Sequence, residues 1–391
     1  MPTLSSAREG HGPIEGLLPC PHRPPCSACP RFGEAGIAPG AAAALGALAR
    51  AHGLPDAGLV SGRLAAFRLR ARLAIRGRLG SPKLGLFEPG THRVVHVPNC
   101  RVQHPLINRV ANVVRRALVE ARVTCYSDKA HAGIARYLQV VVERASQTAQ
   151  VVLVANCATQ EPLAGCFELI REKLGAELHS LWFNSNCTRA NTILGPEFAA
   201  IHGPASVVEN FGGASVHYPP GAFGQSNLDM AEDMIAHVRS LLPEGARVAE
   251  FYAGVGAIGL SVLDRVREIR MSEVSPQSLH GLALGLEQLA AVDRAKVSVI
   301  PGPAAAALEA AHGADVVIAD PPRKGLDPEL SAYLREHPPQ RLVYVSCGLA
   351  SFLEDIARLT AGGRLRLAGL SAFNMVPFTD HVETVASLEA C

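Results

Sequence analysis

The chain has 391 residues, of which 48% are hydrophobic and 18% charged. That is too long for one ordinary domain and apolar enough to bury at least two cores. No run reaches the length of about 18 apolar residues that a membrane span needs, and residues 1–10 lack the apolar core of a secretion signal. A cytoplasmic protein without membrane association is expected. The net charge of +2 hides an asymmetry, because residues 61–120 carry twelve Lys and Arg against only Glu88 and Glu120. A basic middle on an acidic body suggests a docked polyanion, usually RNA or DNA. A solvated basic sheet face fits the charge equally well.

Along the chain, the first feature is Cys20-Pro-His-Arg-Pro-Pro-Cys26-Ser-Ala-Cys29, three of the ten cysteines within ten residues. In a reducing compartment such a cluster points to a metal site rather than to disulfides. Thiolates at this spacing suit zinc or an iron–sulphur cluster. Residues 41–51 read as a short Ala-rich helix. Residues 67–78 alternate apolar and basic with period two, predicting a half-buried strand with an arginine outer face. A second strand is expected at 94–97. The spacing over 105–118 predicts a helix with Arg109, Arg115 and Arg116 on its polar side. Two β-rich runs, 138–143 and 150–156, predict a hairpin. This half reads as α+β with antiparallel strands.

From about residue 225 strands alternate with helices, the pattern of a doubly wound parallel sheet. Strands are expected at 247–251, 269–273, 297–300, 315–319 and 341–346, with a last pair near 364–389, and helices at 228–242 and 350–359. The first strand runs into Glu250-Phe-Tyr252-Ala-Gly254-Val-Gly256-Ala-Ile-Gly259. Its glycines let a ligand approach the backbone and a helix start against the sheet. Glu273, closing the next strand, could hold a ribose hydroxyl pair, so NAD and S-adenosylmethionine remain tied on this segment. Asp320-Pro-Pro-Arg-Lys-Gly325 fixes a carboxylate at the carboxyl edge of the sheet. Arg323 stands where amino-group methyltransferases usually carry an aromatic. The buried run 342–346 ends on Cys347, a position suited to a nucleophile, although a lone Cys is more often a buried apolar thiol.

Together Gln225 with Asn227, Tyr252-Ala-Gly254-Val-Gly256, Asp320-Pro-Pro-Arg-Lys-Gly, Tyr344-Val-Ser-Cys347 and Phe378-Thr-Asp-His381-Val-Glu383-Thr resemble the RNA uridine-C5 methyltransferases. The five motifs recur in the family's order over residues 205–391. The set Cys20, Cys26, Cys29 and Cys100 resembles the branch that carries a [4Fe–4S] cluster. The nineteen residues before Cys20 leave no room for the N-terminal TRAM barrel of some members.

The resemblance implies an α/β fold. Residues 1–50 would form an iron–sulphur segment, 51–210 an α+β RNA-binding domain that contributes Cys100, and 211–391 a Rossmann-like class I S-adenosylmethionine methyltransferase domain. It also implies that Cys347 adds to C6 of a uracil and that Glu383 removes the C5 proton after methyl transfer. Gln225, Tyr252, Gly254, Gly256, Glu273 and Asp320 would border the cofactor, with Tyr252 at its methionine end and Glu273 at its ribose. The expected product is 5-methyluridine in RNA, first in large-subunit rRNA and second in tRNA, made by a monomer. A non-catalytic iron–sulphur RNA-binding factor is the reading from a different class. The sequence departs from the family pattern at Glu250, where Asp is usual, and at Ala253 and Ala257. The arginine strand and the helix with Arg115 and Arg116 are expected to hold RNA phosphates.

Overall fold

The computed structural model describes residues 19–391, so the expectations for the first eighteen residues lie outside the described part. The chain opens with helix α1 (Pro39–Ala51), strands β1 (Gly58–Val60), β2 (Arg70–Arg78), β3 (Ser81–Phe87) and β4 (Val94–His96), and helix α2 (Pro105–Glu120). There follow β5 (Ala135–Glu143), β6 (Thr148–Ala155), α3 (Ala164–Leu174), β7 (Leu178–Ser185) and β8 (Glu197–His202). A hairpin, β9 (Val207–Phe211) and β10 (Ala214–Tyr218), leads to α4 (Leu228–Ser240), β11 (Ala246–Phe251), α5 (Ala257–Ser261) and β12 (Val266–Glu273). Next come α6 (Pro276–Glu287), α7 (Ala291–Arg294), β13 (Val297–Pro301), β14 (Val316–Ala319) and α8 (Pro328–Glu336). The chain closes with β15 (Arg341–Ser346), α9 (Leu349–Thr360), β16 (Leu365–Phe373) and β17 (Glu383–Ala390).

The second half builds an eight-stranded sheet in the order β1-β16-β17-β15-β14-β11-β12-β13. Its central strands are apolar on both faces, and all four residues of β14 are buried. That composition suits a parallel sheet covered by helices on each side. The order reverses between β11 and β14, which opens a crevice at their carboxyl ends. β17 runs antiparallel to β15 and β16, so its first residue lies at that same edge. β1 pairs in parallel with β16 at the sheet margin, and Ala41 and Leu45 of α1 pack into a core shared with β14 and β15. The expected division puts both elements in the first two segments instead.

The first half forms a seven-stranded sheet in the order β4-β3-β2-β5-β6-β7-β8. It is not wholly antiparallel as expected, since β6 and β7 pair in parallel. Helix α3 makes that crossover and buries Cys166, Phe167, Ile170 and Leu174, as a parallel connection requires. Strand β3 is not legible in the sequence because Pro82 and Gly85 interrupt its β signal. Gly85 is needed there, since a Cβ would fall 1.8 Å from the Val95 carbonyl oxygen.

The arginine strand is not a solvent face. Arg76 is 7% exposed and makes a two-pronged bond to Asp128 at 2.7 and 2.9 Å. Its guanidinium also lies over the rings of Phe87, Tyr126 and Tyr137. Arg70 donates to the Ala222 carbonyl at 2.8 Å beneath the Tyr218 ring, and Arg72 donates to Gln139 at 2.8 Å. On α2, Arg109 pairs with Glu177 and Arg115 donates to the Pro82 carbonyl at 3.0 Å. The alternation is present as expected, but β2 is a central strand with both faces covered. There the planar guanidinium finds fixed acceptors instead of water. The two halves are joined by Arg70, by the Leu69 amide donating to the Ser226 carbonyl at 2.7 Å, and by Gln139 donating to the Pro220 carbonyl at 2.6 Å. Among the described residues no helix is long and apolar enough to cross a membrane.

Candidate active site

Ser346 faces Thr384 across the antiparallel ladder of β15 and β17, and the Thr384 hydroxyl donates to the Ser346 carbonyl at 3.1 Å. The ladder ends at that pair, and Cys347 and Glu383 stand one residue beyond it, near enough for the Glu383 carboxyl to act on the Cys347 thiol. A residue just past one strand and the first residue of its neighbour are thereby brought together at the crevice. Glu383 is 4% exposed and its Oε1 has no hydrogen-bond partner. Burial, and then the nearby Asp320, push its carboxyl well above the usual range, against the opposing pull of Arg323.

The thiol of Cys347 is also pushed up, first by burial and then by Glu383 and Asp320. The positive charge of Arg323 counters this. In the sequence Arg323 serves only to exclude an amine target, and this effect is missed; its signal is the unusual cation directly after Asp320-Pro-Pro. Asp320, at the end of β14, is raised to about 7 by burial. Glu250 on β11 is raised to about 8 by burial and by Asp320. Three carboxyls that resist ionisation therefore crowd one edge, the pattern of sites built for proton transfer.

At the glycine loop, Tyr252, Gly254 and Gly256 have φ of 61°, 59° and 82°. A Cβ on Gly254 would meet nothing within 4 Å, so the loop has open space above it. Gly254 donates its amide to Glu273 at 2.7 Å, while the other oxygen of Glu273 accepts the amides of Val274 and Ser275. The carboxylate is held rigidly at the tip of β12, and beside it Val274 is 61% exposed. Tyr252 donates its hydroxyl to Asp327 at 3.1 Å. Asn227 is a helix cap for α4 and donates to the Met375 carbonyl. Gln225 follows Phe223, which is 66% exposed, on the loop before α4.

The catalytic-edge loops are tied to one another by two residues that the sequence does not single out. Asp355 of α9, fully buried, accepts from the Tyr344 hydroxyl at 2.6 Å and the Leu326 amide at 2.9 Å. Ser351 donates to the carbonyls of Arg323 and Gly348. Gly348 permits this approach, because a Cβ there would lie 2.6 Å from the Arg323 oxygen.

Cys20, Cys26, Cys29 and Cys100 line one cavity of about 270 Å³ together with His22, Arg68 and Gln103. Among the described residues no three His, Cys, Asp or Glu groups have single-ion spacing. Burial and then the neighbouring Cys100 push Cys29 up to about 11. Asn108 brackets Cys100, accepting its amide at 3.1 Å and donating to its carbonyl at 3.0 Å.

Four likenesses bear on this site. The model of the tRNA (uracil-5-)-methyltransferase family matches residues 307–391. An uncharacterized RNA methyltransferase of Protochlamydia amoebophila is 35% identical over 337 residues, covering 85% of this chain and 88% of that protein. One from Halalkalibacterium halodurans is 26% identical over 330 residues, covering 83% and 70%. Among solved structures, the Pyrococcus abyssi tRNA (uracil-54, C5)-methyltransferase bound to S-adenosyl-L-homocysteine aligns with a TM-score of 0.75 at 22% identity. It covers 92% of this chain and 85% of the other, and it shares the fold.

Proposed function

From the premise that this chain belongs to the tRNA (uracil-5-)-methyltransferase family of RNA methyltransferases, we propose that it makes 5-methyluridine in a folded RNA through Cys347 and Glu383. The observation that carries this is the closeness of Cys347 and Glu383, each one residue beyond the last β15–β17 pair at the crevice. S-adenosylmethionine, when bound, supplies an electrophilic methyl group. Gly254 and Gly256 would admit its backbone-facing side, Glu273 would accept from its ribose hydroxyls, and Val274 would cover its adenine. The open space at Gly254 and the fixed carboxylate of Glu273 support that fit.

Cys347 would give up its proton and add through sulphur to C6 of the uracil, which turns C5 into an enolate carbon able to take the methyl group. Arg323 beside the sulphur stabilises the thiolate. After transfer, Glu383 would accept the remaining C5 proton, the C5=C6 bond would reform, and the Cys347 thiolate would leave. Asp320 would border both cofactor and base. The target uracil must leave its stack, so a loop or bulge is the substrate rather than a regular duplex. Phe223 offers a stacking face beside the crevice.

Cys20, Cys26, Cys29 and Cys100 would hold a [4Fe–4S] cluster. Support comes from four thiols on a cavity roomier than one tetrahedral ion needs. The cluster would organise structure, and the methyl transfer has no redox step. The seven-stranded sheet would be the RNA-holding unit.

Large-subunit rRNA is our first target and tRNA the second, the latter favoured by the description of the matching family. Mapping 5-methyluridine in total RNA from a deletion strain, with and without a Cys347→Ala copy, decides between them. One uridine should lose its methyl group and stay unmodified with the variant. An unchanged map overturns the proposal.

A further inference from the structure

The loop between β16 and β17 leads into Glu383, the first residue of β17, and it is tied to the far end of the chain. The Arg31 amide donates to the Phe378 carbonyl at 3.0 Å, and the Arg31 guanidinium reaches the Thr379 carbonyl at 3.5 Å. The Phe32 ring packs on Phe378 with centroids 4.8 Å apart. Asn374 donates its side chain to the Gly36 carbonyl at 3.1 Å and its amide to Val60 at 2.9 Å. Phe378 is 1% exposed and has a φ of 68°, a conformation that a bulky side chain keeps only when its surroundings impose it. The surroundings are the cysteine segment, since Phe378, Phe67 and Val102 form a small core against which Cys29, Cys100 and Phe32 pack. The Phe32 amide also closes a turn onto the Cys29 carbonyl at 3.1 Å.

We propose that Arg31 and Phe32 are positioning residues for Glu383, clamping its loop to the four-cysteine cavity so that a group bound there sets the placement of the base. This rests on the reading of Glu383 as base and of the cavity as a cluster site. A filled cavity fixes Cys29 and Cys100, these fix the turn that carries Arg31 and Phe32, and the turn keeps Phe378 in its strained conformation. An emptied cavity releases the loop. Cys347, carried by β15 and the Ser351 bonds, keeps its place. The loss therefore falls on proton removal and not on adduct formation.

Hydrogen exchange read by mass spectrometry on the full-length protein tests this, comparing iron-loaded wild type, chelated wild type, Phe32→Ala and Arg31→Ala. Exchange over 374–383 should rise in the chelated protein and in both variants, with iron content retained in the variants and wild-type exchange over β14 and β15. With uridine RNA, Phe32→Ala should accumulate the methylated Cys347 adduct, its release slowed about tenfold to a hundredfold. Adduct formation with 5-fluorouracil RNA should stay near wild type, and Phe32→Leu should restore most of the release rate. Wild-type exchange over 374–383 after chelation and in both variants overturns the clamp. A wild type that forms no 5-fluorouracil adduct instead overturns the catalytic reading, and exchange alone then judges the clamp. Should Phe32→Ala not fold, the Arg31→Ala and chelation arms give the same decision.

Discussion

At the residue scale, the proposed chemistry depends on keeping two groups reactive in a place that disfavours their charged forms. Burial raises Glu383 and Cys347 alike, and Arg323 offsets part of both effects. Since a neutral carboxyl cannot accept the C5 proton and a thiol adds slowly, turnover should rise with pH across the neutral range. Glu383→Gln should lower turnover about a hundredfold or more while adduct with uridine RNA accumulates, which gel-shift under denaturing conditions reads directly. The same burial acts on stability. Glu250 binds its proton more tightly folded, at about 8, than its ordinary 4.5. Its contribution is complete below that ordinary value and is lost as pH rises toward 8. Glu250→Gln should therefore gain melting temperature over wild type as pH goes from 5 to 9. A constant difference would contradict this. The sequence offered Cys347 at an expected strand end, whereas Glu383 came only with the resemblance carried by Phe378-Thr-Asp-His381-Val-Glu383-Thr. The partners of Arg323 and Tyr252 were not legible, because contacts across separate loops leave no periodic trace.

At the element scale, the crevice is a property of strand order. The glycine loop, Asp320, Cys347 and Glu383 come from four strands whose ends share one edge, and Asp355 ties two of the connecting loops together. Asp355→Ala should cost about 3 kcal/mol of unfolding free energy, because it strands the buried Tyr344 hydroxyl and the Leu326 amide. Denaturant titration measures this. A change below about 1 kcal/mol would mean that the loop is held elsewhere. The parallel strands were easily read, since short apolar runs that recur between helical segments suit a sheet covered on both faces. Strand β2 shows the converse. Its period was legible, but the burial of its arginines was not, because alternation says which side chains share a face and not what covers that face. Arg70→Glu or Arg76→Glu should accordingly unfold the protein. Arg78, Lys83, Arg93, Arg101 and Arg116 are exposed, and RNA contact is predicted for them. Each of these that touches a phosphate should reduce the salt slope of binding by about one when neutralised. An unchanged slope after neutralising all five would move the RNA to another surface.

At the scale of the whole molecule, the N-terminal cysteines and the C-terminal base loop are neighbours, although more than three hundred residues separate them. Burial raises Cys29 and Cys100, so empty thiols are held protonated and a bound metal centre must displace those protons. Chelation should lower the melting temperature, and by less at lower pH, where protons compete for the thiolates. A melting curve indifferent to iron would contradict a bound centre in this cavity. The central claim is a transient bond between Cys347 and a pyrimidine ring. Incubation of the wild-type protein with S-adenosylmethionine and RNA containing 5-fluorouracil, followed by peptide mass spectrometry, tests it most directly. The account requires a methylated fluorouridine attached to the peptide containing Cys347 and none in Cys347→Ala. An absent adduct, or one attached at a different residue, would contradict it.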